Sequence, residues 1–212
     1  MGSEAKLVAG EPPDGYPRDA ERDVRIGSGE IVHIRPIRPD DAAMLTAFHA
    51  SLSAESIYFR FFNFHAELSE REVRHFTRVD YKDRLALIVL AGDRMVAVGR
   101  YDRLSGTDEA EVAFLVRDDY QDQGIGTLLA DELARAARSH GIGAFQAETL
   151  SHNAAMLEMF RRVGFPIETR YEEGVVRVHF SIEPSPAYLE ALARREAVRQ
   201  VGIGEGTRGS SC

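Results

Sequence analysis

Cysteine is almost missing from this chain: a single thiol, Cys212, stands at the last of 212 positions. One thiol excludes an intramolecular disulfide framework and any zinc site built from several cysteines, so a reducing cytoplasm is the expected compartment. Long apolar runs are missing too. The longest, residues 85–91, is far too short to span a bilayer. The acidic N-terminal segment, broken by glycine and proline, has no signal-peptide core, and no membrane association is expected. Positive charge is in deficit, with 26 lysines and arginines against 34 acidic residues for a net charge of -8. General nucleic-acid binding needs the opposite balance and is not expected. The seven histidines show no metal-ligand spacing such as His-Glu-x-x-His, and no metal is expected. A Gly-x-Ser-x-Gly elbow is absent, which disfavours a serine hydrolase.

What is present suits one α/β domain with tails: 44% hydrophobic and 28% charged residues are enough to bury a core. Residues 1–29, rich in Gly, Pro, Asp and Glu without apolar periodicity, read as a flexible or loosely docked arm. Alternation at Ile31 to Pro36 predicts a strand, and Asp40 is the expected N-cap of a helix carrying Met44, Leu45 and Phe48. The aromatic segment from Ile57 to Phe64 is too apolar for an exposed loop. Ser69 and Glu72 have capping-box spacing ahead of a helix with a stripe of Val73, Phe76 and Val79. A hairpin over residues 85–104 and a strand from Glu109 to Val116 follow. Then come a helix stopped by Gly141, a strand over 144–150, a helix stopped by Gly164 and a closing hairpin around Glu172, Glu173 and Gly174. The long crossover helix implies one parallel strand pair. The domain is expected over residues 30–183, and residues 184–212 as a helical, then Gly/Ser-rich, tail.

The most informative stretch lies between strand and helix: Asp119-Tyr120-Gln121-Asp122-Gln123-Gly124-Ile125-Gly126-Thr127-Leu128-Leu129. Glycines without Cβ allow a ligand close to the backbone, and a helix N-terminus adds its positive dipole end, a combination that suits phosphate. A tight turn needs the same glycines with no ligand present. Gly-x-x-x-x-Gly-Lys-Ser/Thr is absent, and Leu129 stands where a dinucleotide fingerprint has its third glycine. Gln121-x-x-Gly124-x-Gly126 resembles the acyl-CoA signature of the GNAT acetyltransferase superfamily. Ile34 to Asp41, Ser53 to Phe62, Ala110 to Phe114, Asn153 to Met156 and Val163-Gly164-Phe165 are similar to the bacterial Pat-type protein lysine acetyltransferases, and the resemblance covers roughly residues 32–182.

The resemblance implies a mixed, mostly antiparallel central sheet, splayed at an acyl-CoA site and flanked by helices. It also implies acetyl-CoA as co-substrate and an acceptor protein with a target lysine, an acyl-CoA synthetase being one candidate. Some relatives carry a fused regulatory domain, for which 212 residues are expected to leave no room. A lysine of pKa about 10.4 must lose a proton before it attacks a thioester, so a base is required. Glu111, mid-strand and matching the Pat-type base position, is the candidate, against the plainer reading of a solvent-facing glutamate. The family's oxyanion donor is a backbone N–H of this strand, assigned here to Leu115, at a bulge. Phe114 and Val116 are expected to hold pantetheine by their backbone, and Gln121, Gln123, Gly124, Ile125, Gly126 and Thr127, with Val116, to line the pyrophosphate end. Asn153 reads both as an N-cap and as a coenzyme contact. Relatives often place a tyrosine four residues before the Gly-Phe pair to protonate the leaving thiolate, but this chain has Phe160 there. A thiolate of pKa about 8.5 can leave without a dedicated acid. A small-molecule amine acetyltransferase and a non-catalytic acyl-CoA sensor stay open as alternatives.

Overall fold

The computed structural model describes residues 11–62 and 67–200. Strands β1 (Arg22–Arg25), β2 (Ile31–Pro36), β3 (Arg84–Ala91), β4 (Arg94–Arg103), β5 (Glu109–Val116), β6 (Ala144–Leu150), β7 (Ile167–Glu172) and β8 (Val175–Ser181) form one sheet in the order β1-β2-β3-β4-β5-β6-β8-β7. All neighbours are antiparallel except β5 and β6. The connection between those two is helix α4 (Ile125–Ser139), because parallel strands need a crossover. Helices α1 (Ala42–Ala50), α2 (Ala54–Phe61) and α3 (Glu70–Thr77) cover one face, while α4, α5 (Ala154–Val163) and α6 (Pro186–Gln200) cover the other. Among the described residues no helix is long and apolar enough to cross a membrane.

Sequence periodicity accounts for this layering. β3 reads as an almost unbroken apolar run and is buried on both faces, as a central strand must be. Its even residues Ala86, Ile88 and Leu90 join the core under α1 to α3, and its odd residues Leu85, Leu87 and Val89 join the core under α4 and α5. In α4 the residues Ile125, Leu128, Leu129, Leu133, Ala134 and Ala137 form the buried stripe. The predicted capping box forms at α3, where Ser69 Oγ accepts from the Glu72 N–H (3.3 Å) and Glu72 accepts from the Ser69 N–H (2.8 Å). The closing hairpin turns at Glu173 (φ 50°) and Gly174 (φ 84°), the two positive-φ positions of a type I′ turn.

Three expectations change. Residues 11–29 are not a loose arm: β1 extends the sheet, and Tyr16, Ala20, Val24 and Ile26 are buried in the larger core. Sequence periodicity misses this because β1 has only four residues and one buried side chain among them. Residues 1–10 lie outside the described residues. Asp41, not Asp40, secures the entry to α1; its carboxylate accepts from the Arg38 N–H (2.7 Å) and from both Arg35 guanidinium nitrogens (2.8 and 2.6 Å). The expected tail begins with a docked helix: in α6, Tyr188 is buried and stacks on Phe165 with ring centroids 4.0 Å apart. The Gly/Ser-rich stretch after it lies outside the described residues, as does Phe64 of the aromatic segment.

Candidate active site

β5 and β6 pair over only three rungs, Glu109 with Ala144, Ala110 with Phe145 and Glu111 with Gln146, and then diverge. The splay leaves a wedge between them. A cavity of about 290 Å³ fills it, bounded by Val112 to Val116 on one side and by Ala147, Glu148 and Thr149 on the other. The glycine loop and the start of α4 close one end; Phe59 and Arg60 of α2 border the cavity too, and α5 forms the remaining wall.

Strand alternation decides which backbone groups face the wedge. Arg117 N–H donates to Val96 O of β4, and Glu109 O accepts from Leu104 N–H just past β4, so odd residues of β5 point toward β4. Asp108 O accepts from Gly143 N–H, on the β6 side. Leu115, paired with Val98, therefore has its N–H turned into the β4 ladder, away from the wedge. Phe114 and Val116 present their N–H and C=O groups to the open side. The β4 to β5 pairing runs in constant register from Ala97 with Val116 to Arg103 with Ala110; the register shift recorded in this part of the sheet lies between β3 and β4, at Val89/Leu90. The bulge expected at the oxyanion position is not in that pairing, and the splay comes from the end of the β5 to β6 ladder.

The loop meets the requirements of an anion cradle. Gly124 has φ +81°, a left-handed conformation that an L side chain rarely adopts, and it precedes α4 without a side-chain cap. The first amides of α4, at Ile125, Gly126 and Thr127, thus have no intrahelical acceptor, and these residues line the cavity. Gly126 is small for a second reason: a Cβ there would lie 3.1 Å from Met159 Cγ of α5. Gln121 reaches back with its amide N–H to Val116 O and Ser56 Oγ, both at 3.3 Å. Gln123 does not enter the cavity; its side-chain NH2 donates to Asp119 O (3.1 Å), and its backbone carbonyl accepts from the Gly27 N–H (3.0 Å). Asn153 caps α5 through its carbonyl oxygen, which accepts from the Met156 N–H (3.1 Å), and it also lines the cavity.

Glu111 lines the cavity at the last β5 to β6 rung. Its side chain is exposed, on the face opposite buried Ala110 and Val112. Its cross-strand neighbour is Asp102, which Arg84 holds at 2.7 Å. Phe160, where relatives often have a tyrosine, is buried against Phe114 and Phe180 and gives the cavity an apolar wall there. Tyr120 also borders the cavity, but its hydroxyl donates to Glu30 (3.4 Å).

Two features escaped the sequence reading. Asp118, after β5, accepts from the Ser53 N–H (3.0 Å), the Ser53 hydroxyl (2.6 Å) and the Ser56 hydroxyl (2.8 Å), pinning the start of α2 to the loop that leads to Gly124. Partial burial pushes its carboxyl up, but those hydrogen bonds outweigh burial and hold it below its ordinary value. Nothing in the local sequence signals a contact across 65 residues. Thr149 is 2% exposed and its Oγ1 has no partner among the described residues, although it borders the cavity. A buried hydroxyl left single, beside uncapped helix amides and wedge-facing strand amides, fits a polar, strand-like ligand such as a pantetheine arm ending in phosphates. Alternation along β6 puts Thr149 on the face of Phe145 and Ala147, which was the available signal. Among the described residues no group of three or more His, Cys, Asp or Glu is placed to hold a metal ion.

Comparison with known proteins agrees with this geometry. The family model described as Acetyltransferase (GNAT) family matches residues 52–165. The solved GNAT domain of S. lividans PAT is similar with a TM-score of 0.75 and 39% identity, over 78% of this chain and 99% of that one. Acetyltransferase Pat of Mycolicibacterium smegmatis is 29% identical over 187 residues, 84% of this chain, and this chain spans only 55% of that protein's length. A solved cAMP-binding acyltransferase from Mycobacterium smegmatis aligns with a TM-score of 0.55 and 26% identity, over 87% of this chain and 56% of that one. A glycine loop opening α4, a sheet that splays beside it and a family match spanning both lead to one assignment: the chain belongs to the GNAT acetyltransferase family.

Proposed function

We propose that the protein transfers acetyl from acetyl-CoA to the ε-amine of a lysine, most naturally a protein lysine, by direct attack in a ternary complex. The observation that carries the reading is the position of Glu111. It lies on the last rung before the strands part, in the same cavity whose far end is the glycine loop. An amine entering from the α2 side would meet a carboxylate there.

The amides of Ile125, Gly126 and Thr127 would hold the pyrophosphate, and the wedge-facing groups of Phe114 and Val116, with Thr149 Oγ1 opposite, the pantetheine arm. Glu111, directly or through a water, takes a proton from the lysine ammonium. The freed nitrogen attacks the thioester carbonyl; the C–N bond forms, the nitrogen releases its second proton to solvent, the C–S bond breaks, and the sulfur leaves with the electron pair. The backbone donor for the transient oxyanion is sought at Phe114, because Leu115 is spent on β4. With Phe160 in place of a tyrosine, the thiolate takes its proton from solvent. Similarity to Pat supports a protein acceptor, and an acyl-CoA synthetase is the first protein to try.

The test is acetyl-CoA-dependent labelling of a native lysate and of a purified acyl-CoA synthetase, read by mass spectrometry, with wild type beside Glu111→Gln. Discrete lysines should acquire acetyl, and the variant should lose about 10²- to 10⁴-fold in kcat while its circular dichroism stays the same. A Glu111→Gln variant as active as wild type would remove the base assignment. Coenzyme binding with no labelled acceptor in any lysate would favour a sensor.

A further inference from the structure

The cleft lining is acidic as a whole, with Glu55, Glu148 and Glu158 beside Glu111, but next to Glu111 three arginines crowd together. Arg60 projects from α2 to the boundary between the coenzyme cavity and a smaller cavity under α1 and α3, and both are bordered by Ala113, Phe114 and Leu115. Its guanidinium lies 5.2 Å from the Phe61 ring centroid, and no described residue gives it a hydrogen bond or an ion pair. Burial, and then the like charge of Arg100, pull Arg60 down to about 10; Glu111 and Asp102 act in the other direction. Arg100 stacks 4.0 Å from the Phe76 centroid and is also lowered, again chiefly by burial. Its nearest carboxylate, Asp102 at 3.7 Å, is already engaged by Arg84 at 2.7 Å. Arg60, Arg84 and Arg100 therefore share two carboxylates, Asp102 and Glu111. When Glu111 accepts a proton, only Asp102 is left.

Arg60 is half-buried, with one face of its guanidinium toward an aromatic ring and its nitrogens still accessible at the cavity, a presentation that suits bidentate binding of a carboxylate. Resting on the acyltransferase reading above, we propose that Arg60, backed by Arg100, holds a carboxylate of the acyl acceptor, so that the enzyme selects amines with an acidic group close by. The carboxylate is either an Asp or Glu side chain beside the target lysine or the free carboxylate of an amino acid. It restores the charge balance as Glu111 becomes neutral.

Binding can be read without turnover, by calorimetry on the coenzyme A-loaded protein. The probes are peptides with one central N-acetyl-lysine and a single glutamate at each of the flanking positions, each matched by its glutamine twin, and free ε-N-acetyl-lysine matched by its amide. At one position the carboxylate form should bind about tenfold or more tightly. The ratio should fall to near one in Arg60→Gln. It should be intermediate in Arg60→Lys, which keeps the charge without the fork and serves alone where Arg60→Gln does not fold. Preference confined to the peptides assigns the carboxylate to a protein side chain, and preference confined to the free acid assigns it to a small amino acid. Equal affinities in wild type, no binding of any probe, or a preference that survives Arg60→Gln overturns the inference. Acetylation of the matched unacetylated substrates is scored separately. Turnover without carboxylate preference sinks this inference alone, whereas carboxylate-dependent binding without turnover sinks the acyltransferase reading alone.

Discussion

Gly124 and Gly126 stand two residues apart and owe their small size to different physics. At Gly124 the constraint is the backbone: φ is +81°, and a Cβ would meet nothing nearer than Thr127 Oγ1 at 3.9 Å. Gly124→Ala should lose about 1–2 kcal/mol from the left-handed conformation alone, read as a lowered denaturation midpoint. At Gly126 the backbone is helical and the constraint is Met159 Cγ at 3.1 Å, the kind of flexible neighbour that can yield. Gly126→Ala gains up to about 1 kcal/mol of helix propensity against that crowding and should be near neutral. A loss above about 2 kcal/mol would show that Met159 is held rigidly. Both glycines stood out in the sequence, but their separate reasons did not, since one depends on a dihedral and the other on a helix 33 residues away.

Between elements, two contacts decide how the cleft is built. Asp118 ties the N-terminus of α2 to the loop after β5, so the helix carrying Arg60 is hydrogen-bonded to the loop before Gly124. Its carboxyl is lowered in the folded state from an ordinary value of 3.8. A lowered carboxyl contributes stability that is fully present above that value and lost as pH falls through the folded-state value. The stability difference between wild type and Asp118→Asn should therefore be constant near neutral pH and shrink below about pH 4, which urea unfolding at several pH values would check. On the other face α6 docks through Arg195, which reaches Asp131 of α4 at 2.7 and 3.0 Å, with Arg199 behind it at 3.2 Å. Asp131 is 3% exposed. Burial raises its carboxyl more than the two arginines lower it, a sign that the charge is expensive there. Arg195→Met should cost about 3–5 kcal/mol by stranding that carboxylate, and a second change, Asp131→Leu, should recover much of the loss. A single variant as stable as wild type would show that Arg199 suffices.

For the whole molecule, a net charge of -8 favours basic acceptors at long range, while the arginines around Glu111 are proposed to select an acidic group locally. An acceptor with basic residues distant from its target lysine and an acidic residue beside it would satisfy both. For such an acceptor kcat/KM should fall several-fold as ionic strength rises from about 0.02 to 0.3 M, because the screening length drops from tens of ångströms to a few. A rate insensitive to salt would remove the steering argument. From β2 onward, α2 aside, the sequence by itself determined the element order, together with the glycine loop and the strand that carries Glu111. Each is written in short-range signals: period two in β5, a 3.6-residue stripe in α4, and stop glycines at 141 and 164. Tertiary structure alone decided that residues 11–29 belong to the fold, that Leu115 spends its N–H on β4, and that Gln123 turns away from the cavity. It also decided that Arg60 and Arg100, 40 positions apart, confront the same two carboxylates. The reason is common to all four: a side chain's partner or an amide's direction depends on which strand or helix packs beside it, and that is fixed only when distant segments share one sheet.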